Sequence, residues 1–600
     1  MSYNYDLLRI DLSNRQYKTD HLDEEIVKKH IGGRGIATKI IWDEVGNDVE
    51  PLEPENKLIL ATGPLTGLPI PSSGKLVIAA KSPLTRGYGD GNIGTTAGIQ
   101  LRKSGFDGVV FEGAAEKPVH IHISDGKVEF LDGSKIWGKE TFEKEDILKE
   151  EMGEGVGRLV PGPAGENQVR VSTVMSQKGR AGGRTGMGAV MGSKNLAAVS
   201  MKGSGTVKAH DMDKLRKLGA QAYQDVKKDE GEYNFWIRQG TMQAFHWCQV
   251  NSTLPTKNFS EGQFEEADSL DGYSLEREKI DRKGCPNCNM QCGNVINDAS
   301  GEAAELDYEN VAMLGSNLGI GDIKKAGELN KICDQYGLDT ISAGSLIGFA
   351  MEASQKGLID EEINFGDFEK SKELLHKIAN KEGLGKTLAE GTKRAAEKIG
   401  GDSLDWAMQV KGLEVSAYDC HTLPGMALAF GTAAIGAHHK ESWLIAWEIE
   451  HGRGQYSEEV VDQLIFQQRK RGGAFESFTT CRLPWIELGF SLDWYEKFFE
   501  AATGIDLDWK DFDEAGDRTY SLIRSYLVNE YGEDWSNKFD TPPERWFSHP
   551  LNKGEFEGST LDKDRYKDMI NKYYEKRGWD ENGVPKRETL DSLGLENVKV

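Results

Sequence analysis

The sequence predicts an α+β fold, a β-rich N-terminal part followed by helices, and three observations carry that reading. Up to about residue 208, apolar and polar side chains alternate in short runs. Beyond about 209, apolar residues recur every three or four positions. Seventy glycines in 600 residues, above the usual ~7%, demand many turns and close backbone approaches.

Taken in order, Leu8, Ile10 and Leu12 alternate with polar neighbours, and the runs starting at Lys57 and Asp107 are short and apolar. Val119 to Leu131 reads as two alternating strands around an Asp125-Gly126 turn. His120 and His122 share the polar face of that hairpin and read as solvated. Val169 to Val174 reads as an apolar strand feeding the glycine-rich segment Arg180–Asn195, and Gly89–Gly94 reads as a second glycine-rich loop. Ile323, Ala326, Leu329, Ile332, Cys333 and Tyr336 fall at helical spacing, so Cys333 belongs to a buried stripe. Gly337 can end that helix, and Asp339 can cap the next, which runs to about Gly357.

Composition narrows the function. A net charge of −24 disfavours nucleic acid and anionic membrane surfaces, and an acidic protein partner would need a local basic patch. No apolar run approaches the ~18 residues that span a bilayer. Seven cysteines, an odd count without an apolar leader, fit a reducing cytoplasm.

Three of those cysteines lie in Cys285-Pro-Asn-Cys288-Asn-Met-Gln-Cys292. Thiolates so close can hold one metal centre, and a single Cys-x-x-Cys hook favours iron–sulfur over structural zinc. The spacing leaves the fourth ligand open among Cys248, Cys333, Cys420 and Cys481. The segment from Arg180 sets Arg180, Arg184 and Lys194 among glycines, which suits a large anionic cofactor. It matches neither a P-loop nor a dinucleotide fingerprint.

Gly-Pro-Leu-Thr-Gly at 63–67, Lys-Ser-Pro-Leu-Thr at 81–85, Gly-Pro-Ala-Gly-Glu-Asn at 162–167, Gly-Ala-Val-Met-Gly-Ser-Lys-Asn-Leu at 188–196, the Cys285 hook, Asn-Leu-Gly-Ile at 317–320 and Gly-Leu-Asp-Thr-Ile-Ser at 337–342 resemble the aldehyde ferredoxin oxidoreductases. These are tungsten enzymes with two pyranopterins and one [4Fe-4S] cluster. The resemblance extends over essentially the whole chain. It implies a β-rich pterin-binding base, 1–208, a helical domain carrying the cluster loop, 209–415, and a second helical domain, 416–600, completing the active site.

The resemblance further implies that Cys285, Cys288, Cys292 and Cys481 ligate the cluster. Lys75, Asn92, Gly94, Arg180, Ala181, Gly183 and Arg184 would hold the pterins from the base, with magnesium bridging their phosphates. Asp334, Leu338 and Asp339 would contact one pterin. The matching motif before Cys481 carries Glu476 and Thr480, with glutamate for the family's aspartate and threonines for its glycine and leucine. Glu309 is the implied base and His439 the electrophile or proton donor. An arginine and a lysine expected beside that histidine are Ile435 and Glu441 here, with Lys440 adjacent. Cys420 reads as a small buried cysteine rather than a tungsten ligand. In some relatives an iron bridges two subunits through a glutamate and a histidine. Glu328 matches the first, but Lys372 stands at the second, so that metal is not expected, while a homodimer stays open.

The implied activity is oxidation of an aldehyde and water to a carboxylic acid at a tungsten or molybdenum bis-pyranopterin, with ferredoxin or a small iron–sulfur subunit taking the electrons. The competing readings are a reductive member of the superfamily, such as the catalytic subunit of an aromatic acyl-CoA reductase, and a zinc-stabilised binding protein.

Overall fold

A computed structural model describes residues 5–600. Its first part holds two six-stranded sheets. One is built from β1 (Tyr5–Asp11), β2 (Gln16–Leu22), β3 (Leu58–Ala61), β4 (Lys75–Lys81), β5 (Tyr88–Gly94) and β6 (Gly108–Glu112), in the order β2-β1-β6-β3-β4-β5. The other holds β7 (Val119–Ser124), β8 (Lys127–Asp132), β9 (Gly157–Pro161), β10 (Val174–Ser176), β11 (Arg180–Gly182) and β12 (Leu196–Met201), in the order β11-β10-β9-β12-β7-β8. The β7–β8 hairpin forms as its Asp-Gly pair predicts, with Asp125 and Gly126 both at positive φ.

Three local expectations change. Gly89–Gly94 is an edge strand rather than a loop, because β4 offers it a complete antiparallel ladder from Lys75–Gly94 to Lys81–Tyr88, and pairing overrides the poor strand preference of glycine. Its glycines serve sheet-to-sheet contact: a Cβ on Gly91 would lie 2.1 Å from the Gly183 nitrogen. Val169–Val174 is mostly irregular, its amides donating to Ala164, Ala389 and Gly337 carbonyls instead of to a strand. His120 and His122 are buried, not solvated. The helix Thr141–Met152 covers that face through Leu148, packed with Val160 and Ala198. Both rings hydrogen-bond Ser200 Oγ, at 2.7 and 2.8 Å, and burial lowers His120 to about 4, so it stays neutral.

Helices dominate from Met212 onward. Ile323–Tyr336 ends at Gly337 in the left-handed region, and Asp339 caps Thr340–Gln355 by accepting from the Ser342 amide. Cys333 is fully buried on its stripe. The helical part also contains a three-stranded antiparallel sheet, β13 (Lys279–Lys283), β14 (Gly293–Asn297) and β15 (Ala303–Leu306), and the cysteine hook is the loop between β13 and β14. Among the described residues, no helix is long and apolar enough to cross a membrane.

One apolar core runs through both parts, joining Ile36, Val77 and Val110 of the base to Phe475, Phe478 and Phe512. A buried ionic chain crosses the same boundary. Arg34 is wholly buried and pairs with Asp90 of β5 at 3.1 Å and Glu441 at 2.5 Å. Lys440 reaches the same Asp90 at 2.5 Å and Glu476 at 3.5 Å. Tyr520 donates to Glu441 at 3.1 Å. Removing one member leaves uncompensated buried charge. Arg34→Met is therefore expected to cost about 3–5 kcal/mol, measured as a lower midpoint in chemical denaturation; an unchanged midpoint would deny the chain any net stabilising role.

Candidate active site

The loop Gly284–Cys292 is shaped by bonds to its own turn and to its surroundings. The Cys288 amide donates to the Cys285 carbonyl, and the Met290 amide to the Cys288 sulfur at 3.3 Å. Asn287 adopts a left-handed φ of 58° and donates to Leu68 and Ser73 of the base. Tyr223, Tyr233 and Trp236 donate to the carbonyls of Asn287, Asn289 and Met290. Ser72 sits at the meeting point: its amide donates to Asn287, its hydroxyl contacts Cys288 Sγ at 3.5 Å, and its carbonyl accepts from the Cys481 amide at 3.0 Å. Cys481 is thereby brought to the hook from nearly 200 residues downstream.

All four of these cysteines line one cavity of about 290 Å³. Its walls also include Lys75, Asn92, Gly94, Arg180 and Ala181 of the base, and Glu305, Asp307, Asp334 and Asp339 of the helical part. Gly94 is a close approach: a Cβ there would lie 2.1 Å from Cys285 Sγ. Arg180 pairs with Glu305 at 2.7 Å. Burial pushes the Cys288 thiol up to about 11 and Cys292 higher still, and each neighbouring thiolate adds to the effect. Lys75, although burial works the other way, is held above its ordinary range by Cys481 and Cys285.

Glu309 and His439 do not themselves line this cavity; Glu309 stands between Asp307 and Asn310, which do. Glu309 lies in the first turn of Tyr308–Leu314, whose N-cap Asp307 forms a capping box with Asn310. His439 lies in the irregular segment between Pro424–Thr432 and Ile445–His451. His439 Nδ1 stands 3.1 Å from Glu309 Oε1, while Glu309 Oε2 accepts from the Ala417 amide at 2.9 Å. Both side chains keep partial exposure, 16% and 18%. Tyr418 packs edge-on to His439, with Tyr308 and Trp443 behind it. Burial pushes the Glu309 carboxyl up to about 8. Burial, with the charges of Arg482, Arg471 and Arg184, holds the His439 imidazole well below its ordinary range. At neutral pH the pair is mainly a carboxylic acid beside a neutral imidazole.

The remaining sequence-predicted residues lie behind the cavity wall. Arg184 bonds Asp339 at 3.0 Å and the carbonyls of Ala437 and Glu414, joining base to both halves of the helical part. Gly183 meets Gly91, and Leu338 is buried between Gly337 and Asp339. Glu476 accepts from Asn92 at 3.2 Å and pairs with Lys440 and Arg482. Thr480, next to Cys481, is buried with its hydroxyl unpartnered. Lys440 is thus committed to carboxylates. Glu441, where a lysine was expected, is the partner of Arg34. Cys420 is fully buried in an apolar core with Leu423, Met426 and Leu444 and does not line the cavity. Lys372 Nζ sits 2.6 Å from Glu328.

Sequence reading missed Glu305, Asp307, Arg471 and Arg482. Asp307 had a signal, because Asp-x-x-Asn before an apolar run is a capping pattern. Arg482 follows Cys481 directly but resembles any surface arginine in sequence.

The donor set fits an iron–sulfur centre beside a pterin. A tetrahedral zinc with ~2.3 Å bonds needs its sulfurs about 3.8 Å apart, whereas no three of these four come within 4.8 Å of one another. Four half-buried cysteine sulfurs side by side, which would be thiolates only against a cationic metal, suit a polynuclear centre at this wide spacing. The carboxyls Glu305, Asp307, Asp334 and Asp339 face a cavity that a heterocycle with N–H edges would satisfy, and Lys75 and Arg180 suit its anionic groups. Asn92 Oδ1 and Asn330 Oδ1 on its wall, and Arg482 Nε next to Cys481, are buried without partners.

Comparison with known proteins identifies the family. Residues 7–203 match the model for the N-terminal domain of aldehyde ferredoxin oxidoreductase, and residues 217–595 match that for its domains 2 and 3. A tungsten-containing aldehyde ferredoxin oxidoreductase of Pyrococcus furiosus is 36% identical, over 98% of each chain. The WOR-like subunit of an aliphatic sulfonate oxidoreductase from the same organism is 32% identical, over all of this chain and 98% of the relative. The active-site complex of a benzoyl coenzyme A reductase, solved with a dienoyl-CoA, has the same fold, with a TM-score of 0.86 at 22% identity over 99% of this chain and 98% of that one. The chain belongs to the aldehyde ferredoxin oxidoreductase family and is an oxidoreductase.

Proposed function

We propose that this protein oxidises an aldehyde with water to a carboxylic acid, releasing two protons and two electrons, and passes the electrons one at a time through a [4Fe-4S] cluster to ferredoxin or a small iron–sulfur subunit. The observation that carries this reading is one cavity lined by four cysteines and by Asp307 and Asn310, the residues flanking Glu309 of the Glu309–His439 pair. A tungsten or molybdenum bis-pyranopterin, when bound, supplies the two-electron acceptor. Cys285, Cys288, Cys292 and Cys481 would hold the cluster. Lys75, Asn92, Gly94, Arg180, Ala181, Gly183 and Arg184 would cradle the pterins from the base, with magnesium between their phosphates. Asp334, Leu338, Asp339, Glu476 and Thr480 would close over them. The division into 1–208, 209–415 and 416–600, and a cytoplasmic location, belong to the same reading.

Glu309 has the chemistry of a proton acceptor matched to neutral pH. Its carboxyl is raised by burial, so it takes a proton from the reacting water or carbonyl carbon without being fixed in the charged form. His439, neutral, has its Nδ1 3.1 Å from Glu309 Oε1, and both atoms lack a hydrogen-bond partner, which leaves the imidazole free to donate to a carbonyl oxygen. The aromatic wall of Tyr308, Tyr418 and Trp443 covers one side of the pair, and the reduced contact with water strengthens each of these interactions. Identity favours oxidation over the reductive alternative: 36% to aldehyde oxidoreductases against 22% to the benzoyl-CoA reductase.

Glu309→Gln should retain tungsten and iron yet lower aldehyde-dependent viologen reduction by roughly 10²–10⁴-fold; full activity removes it from the mechanism. In the parent enzyme, kcat/KM should rise with pH through a limb near 8, as Glu309 loses its proton, and the glutamine variant should lack that limb. Cys481→Ala, and Gly94→Ala through its clash with Cys285 Sγ, should each lower iron per chain in anaerobically prepared protein. Unchanged iron in both would move the cluster elsewhere.

A further inference from the structure

Glu309 and His439 both lean on one irregular segment. Residues 416–422 run between the short strand Leu413–Glu414 and the helix Pro424–Thr432, so neither a strand ladder nor a helix fixes them. Ser416 Oγ accepts from the His439 amide at 3.4 Å. The Ala417 amide donates to Glu309 Oε2 at 2.9 Å, and its carbonyl accepts from the Tyr308 hydroxyl at 2.6 Å. The Tyr418 ring packs edge-on to His439. Groups that position reacting side chains must themselves be locked by a further layer of bonds.

The lock is a buried pair just beyond. Asp419 and His421 are each 1% exposed. His421 Nδ1 lies 2.9 Å from both Asp419 carboxylate oxygens, and the His421 amide donates to Oδ1 at 3.0 Å. On the far side of the ring, Nε2 lies 2.9 Å from the His549 carbonyl. A carboxylate and a carbonyl only accept, so both ring nitrogens carry a hydrogen and the ring is an imidazolium. Arg453 and Glu448 stand close to this pair but are engaged elsewhere: Arg453 donates to Thr422 Oγ1 at 3.0 Å, and Glu448 accepts from the Gly425 and Met426 amides. Among the described residues, His421 has Asp419 as its ion-pair partner and no other. The Asp419 amide donates in turn to the Thr253 carbonyl at 2.8 Å. A buried ion pair gives little net stability compared with apolar packing, so its gain here is orientation.

We propose that His421, an imidazolium clamped between Asp419 and the His549 carbonyl, is a positioning residue for the reaction: it holds 416–418 where Ser416, Ala417 and Tyr418 set Glu309 and His439. This rests on the Glu309–His439 reading above. His421 acts through the segment and touches neither reacting side chain. The bond from the Ala417 amide favours the charged form of Glu309 against burial. A slack segment therefore leaves that carboxyl protonated to higher pH.

The test compares holoenzyme carrying His421→Gln, which is neutral, with His421→Arg, a permanent cation. The glutamine variant leaves Asp419 unpaired and should have a lower denaturation midpoint, so both are assayed well below it, with tungsten and iron retained. There it should lose roughly 10–100-fold in kcat, with KM for butanal little changed, and its kcat/KM limb should move above the parent's limb near 8. The arginine variant should recover most of both. Hydrogen exchange read by mass spectrometry needs no turnover: the peptide spanning 416–421 should exchange faster in the glutamine variant, and at close to the parent rate in the arginine variant. If the single variant does not fold, Asp419→Asn combined with His421→Gln leaves no uncompensated charge and should show the same pattern. Parent-like kcat and exchange in a neutral variant overturn the proposal. So does an equal loss in the arginine variant, which would leave His421 a packing role only. If the parent oxidises no aldehyde, the reading of the reaction fails, and exchange over 416–421 still judges the clamp.

Discussion

The constraint on which the rest depends is the cost of holding four sulfurs and several charges together in one largely enclosed place. Thiolates repel one another, and burial raises Cys288 and Cys292 further, so the fold must supply rigid positioning before any metal repays it. Ser72 does so with three bonds at once, to Asn287, Cys288 and Cys481. The same economy governs the ionic chain through Arg34, Asp90, Lys440 and Glu476, which locks the wall of the base to the segment ending in Cys481. Few buried groups here belong to a single region of the chain.

Much of this was legible because the chemistry is local. The cysteine hook, the Asp-Gly hairpin, the Gly337 stop and the Asp339 cap each depend on neighbours within a few residues. The misread elements depended on partners far away. Gly89–Gly94 looked like a loop because glycine disfavours strands, yet β4 pairs with it throughout. His120 and His122 looked solvated because nothing nearby predicts that Leu148 packs over their face.

The departures from the family's pattern become intelligible as exchanges of partner. Glu441, in place of an expected lysine, gives Arg34 a second carboxylate, so the pair brings its charges from opposite sides of the boundary. Lys440, the apparent substitute, is consumed by Asp90 and Glu476. The cations near His439 are then Arg471, Arg482 and Arg184. They depress the imidazole pKa while the carboxyl beside it is raised by burial, which separates the two groups' protonation states and lets one pair hold one mobile proton.

Thr479 makes the same point about the backbone. It adopts φ 56°, ψ 43°, a left-handed conformation that costs a β-branched residue about 1–2 kcal/mol and that the family's glycine takes freely. The threonine supplies what glycine cannot: its hydroxyl accepts from the Gly63 amide at 2.7 Å and contacts the Thr66 hydroxyl. Two buried bonds of about 1 kcal/mol each are enough to offset the strain. Gly63 must itself be glycine, since a Cβ would meet the Phe478 carbonyl at 2.3 Å. The Gly-Pro-Leu-Thr-Gly motif is therefore a receptor for the residues just before Cys481, and the substitution of threonine for glycine tightens that seat instead of breaking it.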